Sequence, residues 1–324
     1  MFPLRSCQDS WLPRWPWACD RAVLVAHIDR TRTTNRNGFR VHFNGRIESV
    51  STDFPGLVAF EEPCVICNIH KFREKLASGA LCLGPGITFY DPSVTEAIAP
   101  SADFVWIDLE HNPTSLESLL SHLIAARAGG VASIVRVPSL EIAWTKRVLD
   151  TGAEGVILPR STTVDEIRQF VDACRYPDAG TRGFGPRRPT NYARFGGKEY
   201  LQHANDHVFV VAQIETVETL EQLDEIVTIP GLDSLVVGPN DLSGSMGMLA
   251  QIDHPRVLEA IKQIAEKAHA AGLYVGLGMG ATIDYALEVR TLGVDWVQCG
   301  NDFEYMIRFA DQLYGDIRQR LDTP

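Results

Sequence analysis

The chain has 324 residues, 45% of them apolar, with 41 acidic and 30 basic side chains and a net charge of −11. This ordinary apolar content excludes disordered and collagen-like classes, and no apolar run reaches the roughly 18 residues of a membrane-spanning helix. The acidic balance argues against a general nucleic-acid binder, which needs basic excess to displace counterions from phosphates.

Residues 1–47 carry eight arginines, three aspartates and three of the six tryptophans (Trp11, Trp15, Trp17), a net +5 that leaves −16 for the remainder. An arginine-rich start also marks mitochondrial transit peptides. Such peptides are poor in acids, however, and Asp9, Asp20 and Asp29, with Pro13 and Pro16, speak against one. Residues 1–67 therefore read as a basic, Trp-rich extension, poorly ordered and without chemistry. Cys64-x-x-Cys67 lacks a second pair, so no zinc site is expected. Seven cysteines without a secretory leader argue against a disulfide scaffold and for a cytoplasmic protein.

From residue 68 onward, short Val/Ile-rich runs alternate with amphipathic stretches. Strands are predicted at 81–87, 104–108, 133–137, 155–159, 208–214, 234–238, 274–278 and 296–300. They are apolar on both faces, as parallel strands covered by helices are. Helices are predicted at 114–129, 140–152, 162–175, 217–228, 255–272, 281–292 and 302–321, with 176–207 as a long insertion. Thr114, followed three residues on by Glu117, reads as a capping box. Eight such units in about 250 residues predict a single (β/α)8 TIM barrel over 68–324. A doubly wound sheet is the competitor, but Gly276, Gly278 and Gly280 lack the dinucleotide-binding spacing, and close backbone packing accounts for them.

Polar residues collect at the predicted strand ends, where barrel active sites lie. Glu215 and Asp241 follow consecutive strands and are candidate ligands of one hard divalent cation, Mg²⁺ or Mn²⁺ by their oxygen chemistry. Arg136 ends an apolar strand, where a charge is costly without a partner, and its planar fork suits a carboxylate or an enolate oxygen. His111, with Asp108 three residues before it to fix its tautomer, is a candidate general base. A metal, an arginine and a base together can remove a proton α to a carbonyl, and they also serve aldol cleavage and β-keto-acid decarboxylation. None of the six lysines falls in a predicted strand or at its end, which argues against Schiff-base chemistry.

The ordered motifs Asp108-Leu109-Glu110-His111, Val135-Arg136-Val137-Pro138, Gln213-Ile214-Glu215-Thr216 and Gly238-Pro239-Asn240-Asp241-Leu242 resemble those of the HpcH/HpaI family of metal-dependent pyruvate aldolases. The resemblance runs from about residue 68 to 315. It implies a barrel of the phosphoenolpyruvate/pyruvate-binding type, with Glu215 and Asp241 holding Mg²⁺, Mn²⁺ or Co²⁺. Arg136 would then contact the enolate, with Gln213, Asn240 and Asp241 near the bound 2-oxo acid, and His111 with Asp108 would supply the base. Asp150, in a Leu-Asp-x-Gly-Ala motif, would reach a neighbouring subunit's site. A homotrimer or hexamer with helix 302–321 exchanged between subunits is likewise implied. Leu109 departs from the glycine common in bacterial aldolases. The loop 182–197, with Arg187 and Arg188 as either readers of a second substrate's carboxylate or solvated charges, diverges too. That loop and Thr88-Phe89-Tyr90-Asp91-Pro92 are reminiscent of macrophomate synthase, a carbon–carbon bond former of the same family.

The expected reaction is retro-aldol cleavage of a 4-hydroxy-2-oxo acid to pyruvate and an aldehyde, with oxaloacetate decarboxylation as a side activity. A biosynthetic carbon–carbon bond former and a non-catalytic ketoacid-binding barrel are the alternatives. Neither nucleic acid nor membrane is an expected partner.

Overall fold

The structure, a computed structural model, describes residues 39–43, 46–50 and 67–322. The chain divides into two units, Met1–Glu61 and Glu62–Pro324. In the first, β1 (Phe39–Phe43) and β2 (Arg46–Val50) pair antiparallel with Phe43 opposite Arg46. The Asn44-Gly45 that separates them in sequence is a strong hairpin signal, and no element was expected there. The remaining expectations for residues 1–66, Cys64 included, lie outside the described residues.

In the second unit eight parallel strands close into a barrel. They are β3 (Cys82–Ile87), β4 (Phe104–Asp108), β5 (Ala132–Arg136), β6 (Gly155–Leu158), β7 (Phe209–Ile214), β8 (Ser234–Val237), β9 (Tyr274–Met279) and β10 (Trp296–Asn301). They run in that order around the barrel, with β10 returning to β3. Every expected strand is present to within one residue at each end. The helices are α1 (Ile69–Ala77), α2 (Pro92–Ile98), α3 (Leu116–Ala128), α4 (Ile142–Thr151), α5 (Val164–Cys174), α6 (Gly197–His207), α7 (Val217–Glu221), α8 (Leu223–Ile226), α9 (Pro239–Ser245), α10 (Pro255–Ala270), α11 (Ile283–Thr291) and α12 (Asp302–Asp322). The single helix expected at 217–228 is two, α7 and α8, and α1, α2, α6 and α9 were not foreseen. The cap of α3 is Ser115, which accepts the Ser118 N–H at 3.1 Å, rather than Thr114. A reciprocal capping box does occur, between Thr163 and Glu166 at the start of α5.

Outward-facing strand residues such as Val105, Ile107, Val135 and Val156 pack under the helices in one large core. The barrel interior is filled differently, by aromatic rings. Phe72 of α1 lies 5.2 Å from Phe104 and 5.4 Å from Phe209, and Phe104 meets Trp296 edge-on at 5.4 Å. Offset and edge contacts of this kind contribute beyond the area they bury. The Trp296 indole donates to Ser234 Oγ at 3.0 Å and lies so close to Gly276 that a Cβ there would overlap it. Close packing therefore explains Gly276, as expected.

Just before β6 stands a partly buried acid, Glu154. Glu154 accepts the Asn68 N–H at 2.5 Å and the Ser133 N–H at 2.8 Å, tying the approach to α1 onto the start of β5. Burial pushes its carboxyl up to about 7, against the opposing pull of those two N–H groups. A carboxyl whose folded pKa is raised binds its proton more readily in the folded state. Its ionisation therefore costs stability as pH rises from the ordinary 4.5 to about 7, and above that the cost is constant. The wild type is expected to gain up to about 3 kcal/mol relative to Glu154→Gln as pH falls through that window. Denaturant melts of both proteins at a series of pH values check this, and parallel pH profiles would refute it.

Helix α12 begins at Asp302, whose carboxylate accepts the N–H groups of Thr88 and Phe89 (2.9 and 3.0 Å) and the Thr88 hydroxyl at 2.6 Å. Beyond it the helix is solvated, with Met306, Phe309, Leu313, Ile317 and Leu321 all exposed. No helix among the described residues is long and apolar enough to cross a membrane.

Candidate active site

A cleft of about 430 Å³ opens at the C-terminal ends of the strands, lined by residues from most of them. The parallel register of β4 and β5 sets Asp108 directly beside Arg136. Arg136 donates through Nε to Asp108 Oδ1 at 2.8 Å and through Nη2 to Oδ2 at 2.7 Å, a bidentate fork. Its Nη1 is 3.1 Å from Glu110 Oε2, and its guanidinium carbon is 5.5 Å from the Trp106 ring centroid. Burial alone would depress the arginine's pKa. Asp108, Glu110 and Glu215 more than offset that and hold it above its ordinary value.

This arrangement revises one expectation. Asp108 does not orient the His111 imidazole. Its oxygens take the Arg136 fork, the backbone N–H groups of Glu110 and His111, and the Asn112 amide at 3.2 Å. The turn after β4 folds the backbone N–H groups back onto the carboxylate, which leaves the imidazole free to face outward. The acid beside the imidazole is Glu110, with Oε2 3.6 Å from Nε2, and the His111 side chain is 62% exposed. Burial raises the Glu110 pKa, with Arg136 and His111 opposing it and Asp108 and Asp241 adding to it. Sequence reasoning passed over Glu110 because its neighbours on both sides already carried roles.

Glu215 follows β7 and is 2% exposed. It accepts the Arg160 backbone N–H and the Gln213 side-chain amide, each at 2.5 Å. Gly238 follows β8, and a Cβ there would press on Gln213 Nε2 and Glu215 Oε2, so a larger residue would have to displace the ends of both side chains. Burial raises the Glu215 pKa against the Arg160 N–H, and the neighbouring acids Glu110 and Asp241 raise it further. Asp241, in the first turn of α9, is half exposed at the same cleft, with Asn240 exposed beside it. Gln213 Oε1 is buried with no hydrogen-bond partner.

These residues fit a divalent cation. A buried carboxylate surrounded by further acids is electrostatically unfavourable until a cation joins it, and carboxylate and amide oxygens are the donors that hard cations take. Among the described residues, no three His, Cys, Asp or Glu side chains form a complete metal cluster, so substrate and water oxygens would have to complete the shell.

Other expected residues lie elsewhere. Asp150 pairs with Arg182 Nη2 at 2.8 Å in the last turn of α4 and does not line its own chain's cleft. Arg188 is absent from the cleft too. It donates to the carbonyls of Leu123 (3.0 Å) and Gly152 (3.3 Å), a structural role, while Arg187 is exposed on the loop. All six lysines sit on helices, outside the cleft. Leu109 is buried in the outer core. Sequence reasoning missed the wall formed by Gln298, Asn301 and Glu304, at the end of β10 and the start of α12, because the motifs that drew attention lie on β4 to β8.

The profile of the HpcH/HpaI aldolase/citrate lyase family matches residues 91–308. A hydroxypyruvate/pyruvate aldolase of Roseovarius nubinhibens is 35% identical over 248 residues, which is 75% of this chain and 95% of that protein. The crystal structure of an HpcH/HpaI aldolase/citrate lyase family protein from Burkholderia cenocepacia superposes with a TM-score of 0.72 at 29% identity, covering 76% of this chain and 98% of the other. Macrophomate synthase superposes with a TM-score of 0.66 at 26% identity, covering 78% and 89%.

Proposed function

Since the chain belongs to the HpcH/HpaI aldolase/citrate lyase family, we propose that it is a metal-dependent carbon–carbon lyase that cleaves a 4-hydroxy-2-oxo acid to pyruvate and an aldehyde. The observation that carries this reading is the convergence of Arg136, Gln213 and Asp241 from β5, β7 and the first turn of α9 on one cleft, with Glu215 buried against Gln213 and close enough to Asp241 to feel its charge. The hydroxypyruvate/pyruvate aldolase relative supports the same chemistry.

A divalent cation held by Glu215 and Asp241, Mg²⁺ in the first instance and Mn²⁺ or Co²⁺ otherwise, would polarise the substrate's 2-oxo group. Arg136, held rigid by Asp108 and Glu110, offers its guanidinium to the oxygen on which enolate charge develops. In cleavage, a base takes the C4 hydroxyl proton, the C3–C4 bond breaks, and its electron pair moves to C3 as the aldehyde departs. Protonation at C3 then yields pyruvate. His111 is assigned the proton transfers, with Glu110 beside its Nε2 to stabilise the imidazolium. Gln213 and Asn240 contact the 2-oxo acid, and Asp108 acts through Arg136. Oxaloacetate decarboxylation uses the same enolate and is assigned as a side activity.

Asp150 is assigned to a neighbouring copy's site. The apolar row Met306, Phe309, Leu313, Ile317 and Leu321 supports a homo-oligomer, trimer or hexamer, that covers α12. The similarity to macrophomate synthase favours a second reading, carbon–carbon bond formation onto a larger acceptor through the same enolate.

With Mg²⁺ present, the protein is expected to exchange the pyruvate methyl protons for deuterium in D₂O, a reaction that needs no aldehyde, and EDTA is expected to stop it. Absence of exchange under any of the three metals overturns the reading.

A further inference from the structure

A second cavity lies at the opposite end of the barrel from the cleft, and the mechanism above does not use it. Its wall includes Glu154 and Val208, which immediately precede β6 and β7, Ile69 at the start of α1, and Tyr200 and His203 of α6. It measures about 70 Å³, room for about five to seven water-sized groups at roughly 10–15 Å³ each. Part of the lining is apolar, with Ile69, Leu149, Tyr200 and Val208 all buried. Among the described residues, its arginines and acids are Arg127, Arg182, Arg188 and Glu154.

The arginines differ in what neutralises them. Arg182 is buried and paired with Asp150, and its Nε is buried with no hydrogen-bond partner. Among the described residues, neither Arg127 nor Arg188 is ion-paired with a carboxylate. Arg188 donates instead to the carbonyls of Gly152 (3.3 Å) and Leu123 (3.0 Å). Those bonds fix the guanidinium but leave some of its five N–H donors over, and they do not cancel its charge. Arg127, exposed in the last turn of α3, lies near enough to join burial in pushing the Arg188 pKa down. Two like charges held together are unfavourable until an anion joins them. Glu154 meets only part of that need, because its two oxygens already accept the Asn68 and Ser133 N–H groups. His203 adds no charge, since burial, and then His207 stacked on it at 3.9 Å, hold its pKa below the ordinary range. With Arg182 and Asp150 neutralising each other, Arg127 and Arg188 against Glu154 leave a single positive charge in excess.

We propose that this cavity is a second ligand site, separate from the cleft, which takes a small monocarboxylate with a short apolar chain. The single excess charge calls for a monoanion, the arginine forks for a carboxylate, and the apolar lining for a hydrocarbon tail. The carboxylate lies at Arg127 and Arg188, and the tail lies against Ile69, Leu149 and Val208. The site does not depend on the aldolase reading.

The test is calorimetric titration of the full chain, free of metal and above pH 7, where Glu154 is ionised, with butanoate and with butanamide, its uncharged counterpart. Butanoate is expected to bind saturably, and butanamide at least about tenfold more weakly, the lower end of the range for losing a hydrogen bond to a charged group. Arg127→Gln, at an exposed position where the fold has little at stake, should weaken butanoate binding by about tenfold to a hundredfold and leave butanamide unchanged. Glu154→Gln should tighten butanoate binding by at least about fivefold, because it removes the like charge that the acid meets in the cavity. Shifts of opposite sign in the two variants cannot both come from partial unfolding. Absence of saturable butanoate binding overturns the proposal, as does equal affinity for the acid and the amide. An affinity that Arg127→Gln leaves unchanged also overturns it, because the acid then sits elsewhere, as in the cleft beside Arg136. So does an affinity that Glu154→Gln fails to raise.

Discussion

Glu215→Gln is expected to lower kcat/KM for retro-aldol cleavage by at least about a thousandfold, the scale of several kcal/mol that a bound cation supplies to developing negative charge. The substitution keeps the shape of the side chain and one oxygen to accept the Arg160 N–H. It removes the charge on which a cation depends. Asp241→Asn should act in the same direction, with a separate signature. Asp241 is half exposed, so metal affinity falls while the fold is hardly touched, whereas Glu215 is 2% exposed and set among acids. In the absence of metal, Glu215→Gln should therefore be at least as stable as the wild type, because a costly buried charge has gone. With saturating Mg²⁺ the order should reverse, because only the wild type gains the stabilisation that ligand binding to the folded state confers. Thermal melts of both proteins with and without Mg²⁺, alongside calorimetric titration of the metal, give the answer without any activity measurement. A Glu215→Gln protein that still binds Mg²⁺ and is stabilised by it would remove Glu215 from the metal site.

The strands β4, β6, β7 and β8 were legible because each is a short apolar run whose residues are buried on both faces, and burial on both faces leaves a continuous hydrophobic signal rather than an alternating one. The carboxylates and the arginine were legible because charge at the end of such a run has no packing explanation. What escaped is what depends on contacts distant in sequence. Helix α1 carries Phe72 into the barrel interior, and nothing local distinguishes that ring from one packed on an outer face. Asp108 was assigned to His111 because the two are near in sequence, but the pleat of β4 and the register with β5 give Asp108 to Arg136 instead. Arg188, which by sequence was either a reader of a second substrate's carboxylate or a solvated charge, is neither: it bridges the backbone carbonyls of Leu123 and Gly152.

Arg136→Ala is expected to lower kcat by about a hundredfold to ten-thousandfold and also to destabilise the protein. The two effects have different origins. The catalytic loss comes from removing a fixed donor from the position of the enolate oxygen, which costs roughly a hundredfold to a thousandfold for one donor, and more here because the lost donor carries full charge. The stability loss comes from the acids left behind. Asp108 is 7% exposed and bonded through both oxygens, and Glu110 Oε2 is buried with Arg136 as its nearest cation. Removing one member of such a buried cluster costs about 3–5 kcal/mol, since the remaining charge is uncompensated. Adding Asp108→Asn to Arg136→Ala should therefore recover much of the lost stability and none of the lost activity. Arg136→Lys offers the complementary measurement. The ammonium restores charge beside Asp108 and Glu110 but cannot reproduce the two parallel hydrogen bonds, so stability should return in part while kcat stays low. Should the double variant regain activity along with stability, Arg136 would be a structural counter-ion only, and the enolate oxygen would need another donor. Should the activity instead follow guanidinium geometry across the three proteins while stability follows net charge, the two roles of Arg136 would be resolved from each other.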